Sequence, residues 1–514
     1  MKKRKNSAGR RFIRSRWHVF LVLFLQMVFL GYILISGSRI SQAVLYALTA
    51  VSILSCLVIL SGKGENAYKL TWIFWILVLP IFGGFFYMVL QSQWSKKSFT
   101  RRAAEAEKRS KEHAKLPEEY VLSGEALAKE GKPVMRYLSE HVGYPTYRTD
   151  EVTFFSSGEE MHDALLAALS RAEKYIFLEY FIIEEGEMWH SILNILEEKA
   201  KAGVLVRVLY DDVGCFTHLP RHYHKRLRAM GIEAAAFHPF VSLFSIEQNN
   251  RDHRKIAVVD GHTAFTGGVN IADEYVNKVE KFGHWKDAAC LVRGGGAWSF
   301  TLMFLEMWEL SEKTKEDLSA FRTALPLPSS LSCGLVTPYA DSPMDNEHVG
   351  ENVYLSLIRT ARKYVYITTP YLIISDTMQN ALTLAAKSGV DVRIITPGKW
   401  DKRIVHTVTR SYYRDLVDAG VKVYEYTPGF LHAKTLVSDD AVGTVGSVNF
   451  DYRSLYLHFE CGTVIAEREA VLRMKEDFLQ TLAKCAAVSP VERRGESILF
   501  RLWQAVLRLL APLL

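Results

Sequence analysis

Apolar positions along the 514-residue chain fall into three patterns. In the first hundred residues they run almost unbroken: residues 17–35, 43–60 and 70–90 each come close to the roughly 20 residues that span a bilayer as a helix. From about Glu151 the runs shorten to strand length and alternate with helical periodicity. Ser157 and Glu160 have capping-box spacing, which predicts a helix through the apolar-periodic 161–169. Residues 175–180 and 204–210 read as strands, and 192–202 between them as a helix closed by Gly203. At the chain's end Leu499, Leu502, Val506, Leu509, Leu510 and Leu513 fall at helical spacing, with Arg501 and Arg508 one heptad apart. That predicts an amphipathic basic helix, which either lies among lipid headgroups or packs on the domain.

The strand–helix pattern then repeats. Ala361-Arg362-Lys363-Tyr364-Val365-Tyr366-Ile367 corresponds to Ala172-Glu173-Lys174-Tyr175-Ile176-Phe177-Leu178. Lys387 to Ile394 corresponds to Lys201 to Val208. A repeat of this length means duplicated domains, and the alternation implies α/β layers. Pro326, Pro328, Ser329 and Ser330 mark a boundary within 325–332. The expected organisation is a basic tail (1–16), a membrane-embedded region (17–91), a charged connector (92–150), α/β domains at 151–328 and 329–490, and a C-terminal amphipathic helix (491–514). The charged helical stretch 103–115 within the connector is expected to be solvated.

Charge sharpens the N-terminal reading. The net charge is +7, but residues 1–16 hold eight Lys or Arg and no acid, so the remainder is one unit negative. A nucleic-acid enzyme carries its positive charge on the folded domain; this chain carries it beside an apolar segment. No small-residue cleavage site follows residues 17–35, which argues against a signal peptide. Basic residues flank both ends of the apolar region, with Lys96, Lys97, Arg101, Arg102, Lys108 and Arg109 after it, so both flanks favour the cytoplasm. Pro80 and Gly83-Gly84 interrupt the third stretch. Two spans and a third segment that dips in and returns, or lies in the interface, satisfy both facts. Three plain spans, with the remainder outside, are the alternative.

The chemistry concentrates in a duplicated motif. Asp252-His253-Arg254-Lys255 leads through 256–259 to Asp260-Gly261, then Gly267-Gly268-Val269-Asn270. Leu431-His432-Ala433-Lys434 leads to Asp439, then Gly446-Ser447-Val448-Asn449 at the same offsets. Each His and Lys are two apart, so on a strand they share a face. Asp260-Gly261 predicts a two-residue hairpin turn that returns Gly267 and Gly268 opposite His253, with Asn270 just beyond. Imidazole, ammonium and amide around glycines suit a tetrahedral oxyanion. Asp260 falls at the turn, where a strand anchor is the expected role. Two such copies point to one shared site for phosphoryl transfer, with a nucleophile and a separate general acid. Imidazole serves either part near neutral pH, and the lysines would neutralise non-bridging oxygens. No metal or cofactor is called for.

The pattern resembles the phospholipase D superfamily, and its flanks resemble the bacterial cardiolipin synthases of that superfamily. The matching runs are 250–255, 267–275 and Trp285-Lys286-Asp287 in the first half, and 429–434 and 449–454 in the second. The resemblance implies two phospholipase D-type α/β sandwich domains sharing one active site, preceded by a helical membrane region. It implies a phosphatidyltransferase of the cell membrane, multi-pass and with its catalytic domains on the cytoplasmic side. Two phosphatidylglycerol molecules, donor and acceptor, would give cardiolipin and glycerol through a phosphatidyl-histidine. His253 is taken as nucleophile and His432 as acid/base. Lys255, Lys434, Asn270 and Asn449 would hold the phosphate, with Ser447, Gly267 and Gly268. Asp260 and Asp439 enter on the family motif, and Asp287 and Glu460 occupy the positions that orient the histidines. One departure is His458, where the family pattern has Asn.

Transfer does not follow from the motif alone: water attacking the same intermediate makes a hydrolase, and another alcohol makes another transferase. A nucleic-acid-binding or -cleaving protein of this fold is a further alternative that the charge distribution opposes. Asp211 and Asp212 stand at a strand end, where cleft lining and an ordinary turn are both open, as are lipid contact and packing for Tyr371. His218, His222 and His224 read as surface or loop residues, because Pro220 breaks any helix that would pair them. Six scattered cysteines without a Cys-x-x-Cys pair fit a reducing compartment.

Overall fold

The computed structural model describes residues 28, 31–32, 35, 39–62, 65–78, 83–84, 87, 94–122, 127, 132–149, 151–238, 249–323, 334–489 and 497–513. The chain divides into two compact units, one of Met1–Phe99 with Phe240–Asn249, the other of Thr100–Pro239 with Asn250–Pro512.

In the first unit, helix α1 (Arg39–Ser61) contains Gln42–Ser61, with a mean hydropathy of 2.5. Among the described residues it is the one helix long and apolar enough to cross a membrane. Helix α2 (Asn66–Val78) has 13 residues. Close approach explains Gly83 and Gly84: a Cβ there would come within 2.6 Å of the backbone of Ile76 and Ser52 respectively. Most of the expected first span, and Pro80 of the third, lie outside the described residues.

The second unit holds the duplicated halves. The first supplies β1 (Val152–Phe155), β2 (Tyr175–Tyr180), β3 (Leu205–Asp211), β4 (Glu233–Phe237), β5 (Lys255–Val259), β6 (Thr263–Gly267), β7 (His284–Lys286) and β8 (Ala289–Arg293). All but β7 form one sheet in the order β1-β8-β6-β5-β2-β3-β4. The second supplies β9 (Gly334–Asp341), β10 (Tyr364–Thr368), β11 (Asp391–Pro397), β12 (Lys422–Tyr426), β13 (Gly429–Leu431), β14 (Thr435–Ser438), β15 (Val442–Gly446), β16 (Glu460–Ile465) and β17 (Cys485–Ala487). Its sheet contains the order β9-β16-β15-β14-β10-β11-β12, the first sheet's order strand for strand. Strands such as β2, β5 and β10 are buried along their whole length, so both faces are covered and apolar residues run without alternation.

Helix α3 (Trp94–His113) departs from the expectation of a solvated connector. Ala103, Ala106 and Ser110 are buried. Arg109 donates to both carboxylate oxygens of Glu309 at 2.8 and 2.9 Å. The connector also adds strand Thr146–Thr149 beside β9. Helix α4 (Gly158–Ser170) starts where the capping pattern places it: Ser157 Oγ accepts from the Glu160 N–H. Glu160 reaches back to the Ser156 N–H, one residue beyond the usual reciprocal bond. Helix α5 (Glu187–Lys201) begins five residues before the expected 192. Helix α6 (Gly295–Glu312) is buried on all sides from Gly295 to Leu310, a largely apolar core helix whose buried Glu306 and Glu309 are paired with Arg254 and Arg109. The second half adds α7 (Val349–Thr360), α8 (Asp376–Lys387), α9 (Arg403–Asp418) and α10 (Arg468–Leu482).

The β5–β6 hairpin corrects the turn expectation by one residue. Ile256 faces Thr266 and Val259 faces Thr263, which leaves a three-residue loop, 260–262. Gly267 therefore stands beside Lys255, and His253 is level with Val269. Asp260 and Gly261 take the loop's positive φ values, 51° and 71°. The Asp260 carboxylate accepts from the N–H groups of Glu173, Lys174 and Tyr175 at 2.7–2.9 Å. Asp439 does the same for Arg362, Lys363 and Tyr364. Both aspartates lie at the far ends of their strands from the histidines and pin the start of the neighbouring strand. Replacing Asp260 by Ala strands these amides and is expected to cost about 2–4 kcal/mol of stability. Turnover per folded molecule should change little, as thermal unfolding and activity of the same samples would show.

Candidate active site

Each His-x-Lys sits at the entrance to a central strand, and that entrance is stitched by backbone to the opposite half. The His253 N–H donates to Phe459 O, and the Phe459 N–H to Arg251 O, both at 2.9 Å. In the mirror arrangement β13 runs parallel to β7, with Phe430 level with Trp285, and the His432 N–H donates to Lys286 O at 2.7 Å. Chain geometry thus brings each histidine to the acid-bearing strand of the other half.

The side chains follow the same crossing. His253 Nδ1 is hydrogen-bonded to Glu460 at 2.8 and 3.0 Å. His432 Nδ1 is hydrogen-bonded to Asp287 at 2.7 Å. All four are buried, and both acids are fully enclosed. The two pairs differ in electrostatics. Burial acts to raise Asp287, but the charges of His432 and Lys434 outweigh it and hold the carboxyl below its ordinary value. Asp287 is thus an ionised acceptor that fixes the proton of His432 on Nδ1 and leaves Nε2 with a lone pair. Glu460 is pushed well up by burial, against the pull of Lys255. His253 is driven well below 6.5 by burial, Lys255 and His458. His432 is lowered to about 4 by burial and Lys434, with Asp287 opposing.

The lysines share the spot. Lys255 Nζ donates to His253 O at 2.5 Å, and Lys434 Nζ to His432 O. Burial lowers Lys255 to about 8 and Lys434 to about 7; for Lys434 the neighbouring Lys255 adds to the effect. Two imidazoles and two amines therefore share a buried volume where their protonated forms lack sufficient negative charge. An anion is what this environment would stabilise. His253, His458 and Glu460 place possible metal-ligating atoms within 4.8 Å of one another. The cationic groups around them oppose a metal ion.

The expected phosphate-holding residues are distributed differently from the sequence reading. The space a side chain would take at Gly268 is filled by Asp287, whose Oδ1 would lie 2.0 Å from a Cβ. At Gly267 it is filled by Ala288 and Ala289. These glycines admit the acid and its strand, which corrects the expectation of open space for an oxyanion. Ser447 Oγ donates to Glu460 and accepts from the Cys461 N–H at 3.0 Å. Asn270 is engaged at both ends, accepting from the Ile182 N–H at 3.1 Å and donating to the Tyr275 hydroxyl at 2.7 Å. Asn449 Oδ1 is buried with no hydrogen-bond partner.

Several neighbours were missed. Asp211, with two readings open from sequence, is fully buried in a fork with Arg251 at 2.9 Å and accepts from the Asp252 N–H at 3.1 Å. It fixes the approach to His253. Arg254 points away from the site: its guanidinium donates to Glu460 O at 3.3 Å and lies 3.6 Å from Glu306. The signal available in sequence was two arginines flanking His253 at the start of an apolar strand, where buried charge demands acids. Phe181 packs 4.9 Å from the His253 ring, and Tyr275 and Trp285 each 5.4 Å from the His432 ring. His458 lies 5.6 Å from His253 with neither ring nitrogen hydrogen-bonded. Tyr371 donates to Asp401 at 2.6 Å. His218 meets Glu184 at 2.6 Å, a partner that no local spacing announced.

Two α/β sheets that share one seven-strand order, with a crossed pair of His-x-Lys motifs, define a protein of the phospholipase D fold. A family model described as "Cardiolipin synthase, PLD-like domain" matches residues 165–282 and 354–482. The cardiolipin synthase of Alkalihalophilus pseudofirmus is 35% identical over 88% of this chain and 90% of its own. That of Halalkalibacterium halodurans is 34% identical over 92% and 93%. An uncharacterized Streptococcus mutans protein is 41% identical over 90% and 99%. Among solved structures, phosphatidylserine synthase of Haemophilus influenzae superposes with a TM-score of 0.57 at 14% identity, covering 73% of this chain and 98% of that one. The chain belongs to the cardiolipin synthase family of phospholipase D-like enzymes.

The crossing predicts which effects are coupled. Asp287→Ala added to His432→Ala should cost little further turnover, and so should Glu460→Ala added to His253→Ala; kinetics of the double variants would check both. The lowered His and Lys values predict proton uptake when an anion binds near pH 7, because the anion raises them. Titration calorimetry with tungstate in buffers of different ionisation enthalpy should show that uptake, with affinity falling as pH rises through 7 to 8.

Proposed function

We propose that this chain transfers a phosphatidyl group from one phosphatidylglycerol to the primary hydroxyl of a second, releasing glycerol and forming cardiolipin. The observation that carries the reading is the buried, crossed arrangement of His253–Glu460 and His432–Asp287 around Lys255 and Lys434. Family membership supplies the substrate class, and the relatives named cardiolipin synthase supply the product.

His253 is the nucleophile: burial and Lys255 keep its imidazole neutral. Its attack forms a P–N bond and breaks the P–O bond to glycerol. His432 gives that oxygen its proton. The ionised Asp287 stabilises the protonated imidazole, and the donor's phosphate charge raises its proton affinity against the lowering by burial and Lys434. The acceptor hydroxyl then loses its proton to His432 and attacks phosphorus, and the P–N bond breaks. Lys255 and Lys434 become fully charged against the non-bridging oxygens, and the matching motif residue Asn449 offers them its amide N–H groups. Asp260 and Asp439 act as turn anchors. The enzyme works on the cytoplasmic side of the cell membrane, held by its apolar N-terminal segments, where both substrates reside and no nucleic acid takes part.

The test uses membranes of a cardiolipin-free host expressing the chain, fed phosphatidylglycerol labelled in its headgroup glycerol. Cardiolipin and labelled free glycerol are expected, both lost in His253→Ala and His432→Ala. Phosphatidic acid without cardiolipin would make the chain a hydrolase, and cardiolipin from either variant would overturn the two-histidine mechanism. The roles separate on a donor bearing p-nitrophenol as leaving group, which needs no protonation. His432→Ala should release a burst of nitrophenol, and His253→Ala none.

A further inference from the structure

The C-terminal helix α11 (Ile498–Leu510) packs the wrong way round for a soluble domain. It meets helix α9 (Arg403–Asp418) through Gln504, Leu507 and Arg508, with Gln504 and Leu507 buried. Arg508 donates to Ser411 Oγ at 2.9 Å and to Asp415 at 3.0 Å, and lies over the Tyr412 ring at 4.3 Å. The apolar arc faces outward. Ile498, Leu499, Leu502, Trp503 and Val506 are 74, 79, 60, 53 and 44% exposed. At about 100° per residue they fall on one continuous side of the helix. An amphipathic helix in a soluble domain turns that arc to the core; here the side carrying Gln504, Leu507 and Arg508 packs and the wider apolar arc is offered out.

Next to that arc runs a groove of about 150 Å³ between α9 and α11, lined by Arg410, Arg414, Arg501, Arg508 and Asp415. Arg508 pairs with Asp415 at 3.0 Å, Arg410 with Glu425 at 2.9 Å and Arg414 with Asp418 at 3.7 Å, and Arg501 adds a positive charge beyond those three pairs. A cationic groove beside an apolar stripe bearing Trp503 matches an anionic headgroup layer over acyl chains. A second copy of this chain would present the same arginines to each other, so charge favours lipid. We propose that the exposed face of α11, with the arginine groove beside it, docks on an anionic lipid bilayer. This surface lies on the catalytic unit itself and does not depend on the transfer reaction proposed above.

The test places a nitroxide at Leu502→Cys, and separately at Val506→Cys, in the full chain reconstituted in nanodiscs that each hold one copy. Lys201→Cys, whose side chain is 70% exposed on α5, serves as the water control. The labelled native chain serves as background. Both substituted residues are exposed, so the packed side of α11 is unchanged. In discs of phosphatidylglycerol, labels at 502 and 506 should be reached by oxygen and shielded from a polar nickel complex. The oxygen-to-nickel accessibility ratio should exceed that at 201 at least fivefold. In phosphatidylcholine discs the ratio should fall several-fold. Nickel access equal to that at 201 would overturn the docking surface. Shielding from both reagents would overturn it too, since the face would then be covered by protein. Equal ratios in the two kinds of disc would overturn the preference for anionic lipid.

Discussion

The structure depends on keeping cationic groups in a closed volume whose own acids are fully used. Asp287 and Glu460 are each committed to an imidazole from the opposite half, and the amines of Lys255 and Lys434 are left with backbone carbonyls. Burial then shifts these amines and imidazoles toward their neutral forms. A phosphodiester brings negative charge to this volume, so the desolvation of the amines and imidazoles and the preference for an anion have one physical source.

That arrangement requires two halves. Neither histidine has its acid within its own repeat, and the backbone bridges 252–459 and 285–430 bring the strand entrances together before any side chain contributes. Asp211 with Arg251 and Arg254 with Glu306 brace the first entrance from behind. Such buried pairs add little net stability once desolvation is counted, but breaking one leaves an uncompensated charge, so they hold geometry firmly. Asp287 is held ionised while Glu460 is pushed up by burial, so two chemically similar histidines face differently charged partners.

Much of this was legible in the chain. The α/β alternation, the duplication, the capped start of α4 and strand 175–180 follow from periodicity and local signals that a short window contains. The hairpin register was missed by one residue, because a three-residue loop and a two-residue turn both fit Asp260-Gly261 and only the pairing of Val259 with Thr263 selects between them. The connector's burial was missed because Ala103, Ala106 and Ser110 carry too little apolar surface to mark a face among so many charges.

By itself the sequence determined the two His-x-Lys frames, the cationic tail and the apolar N-terminus, because each is a matter of residue type in a local pattern; the acids at 287 and 460 lie at different distances from their motifs and came only through the family resemblance. Tertiary structure decided that the acids serve the opposite histidines, that Gly267 and Gly268 make room for Asp287 and its strand and not for an anion, and that the apolar arc of α11 faces outward. Those outcomes rest on which segments, hundreds of residues apart, approach within a few ångströms. Periodicity within a strand or helix carries no record of that.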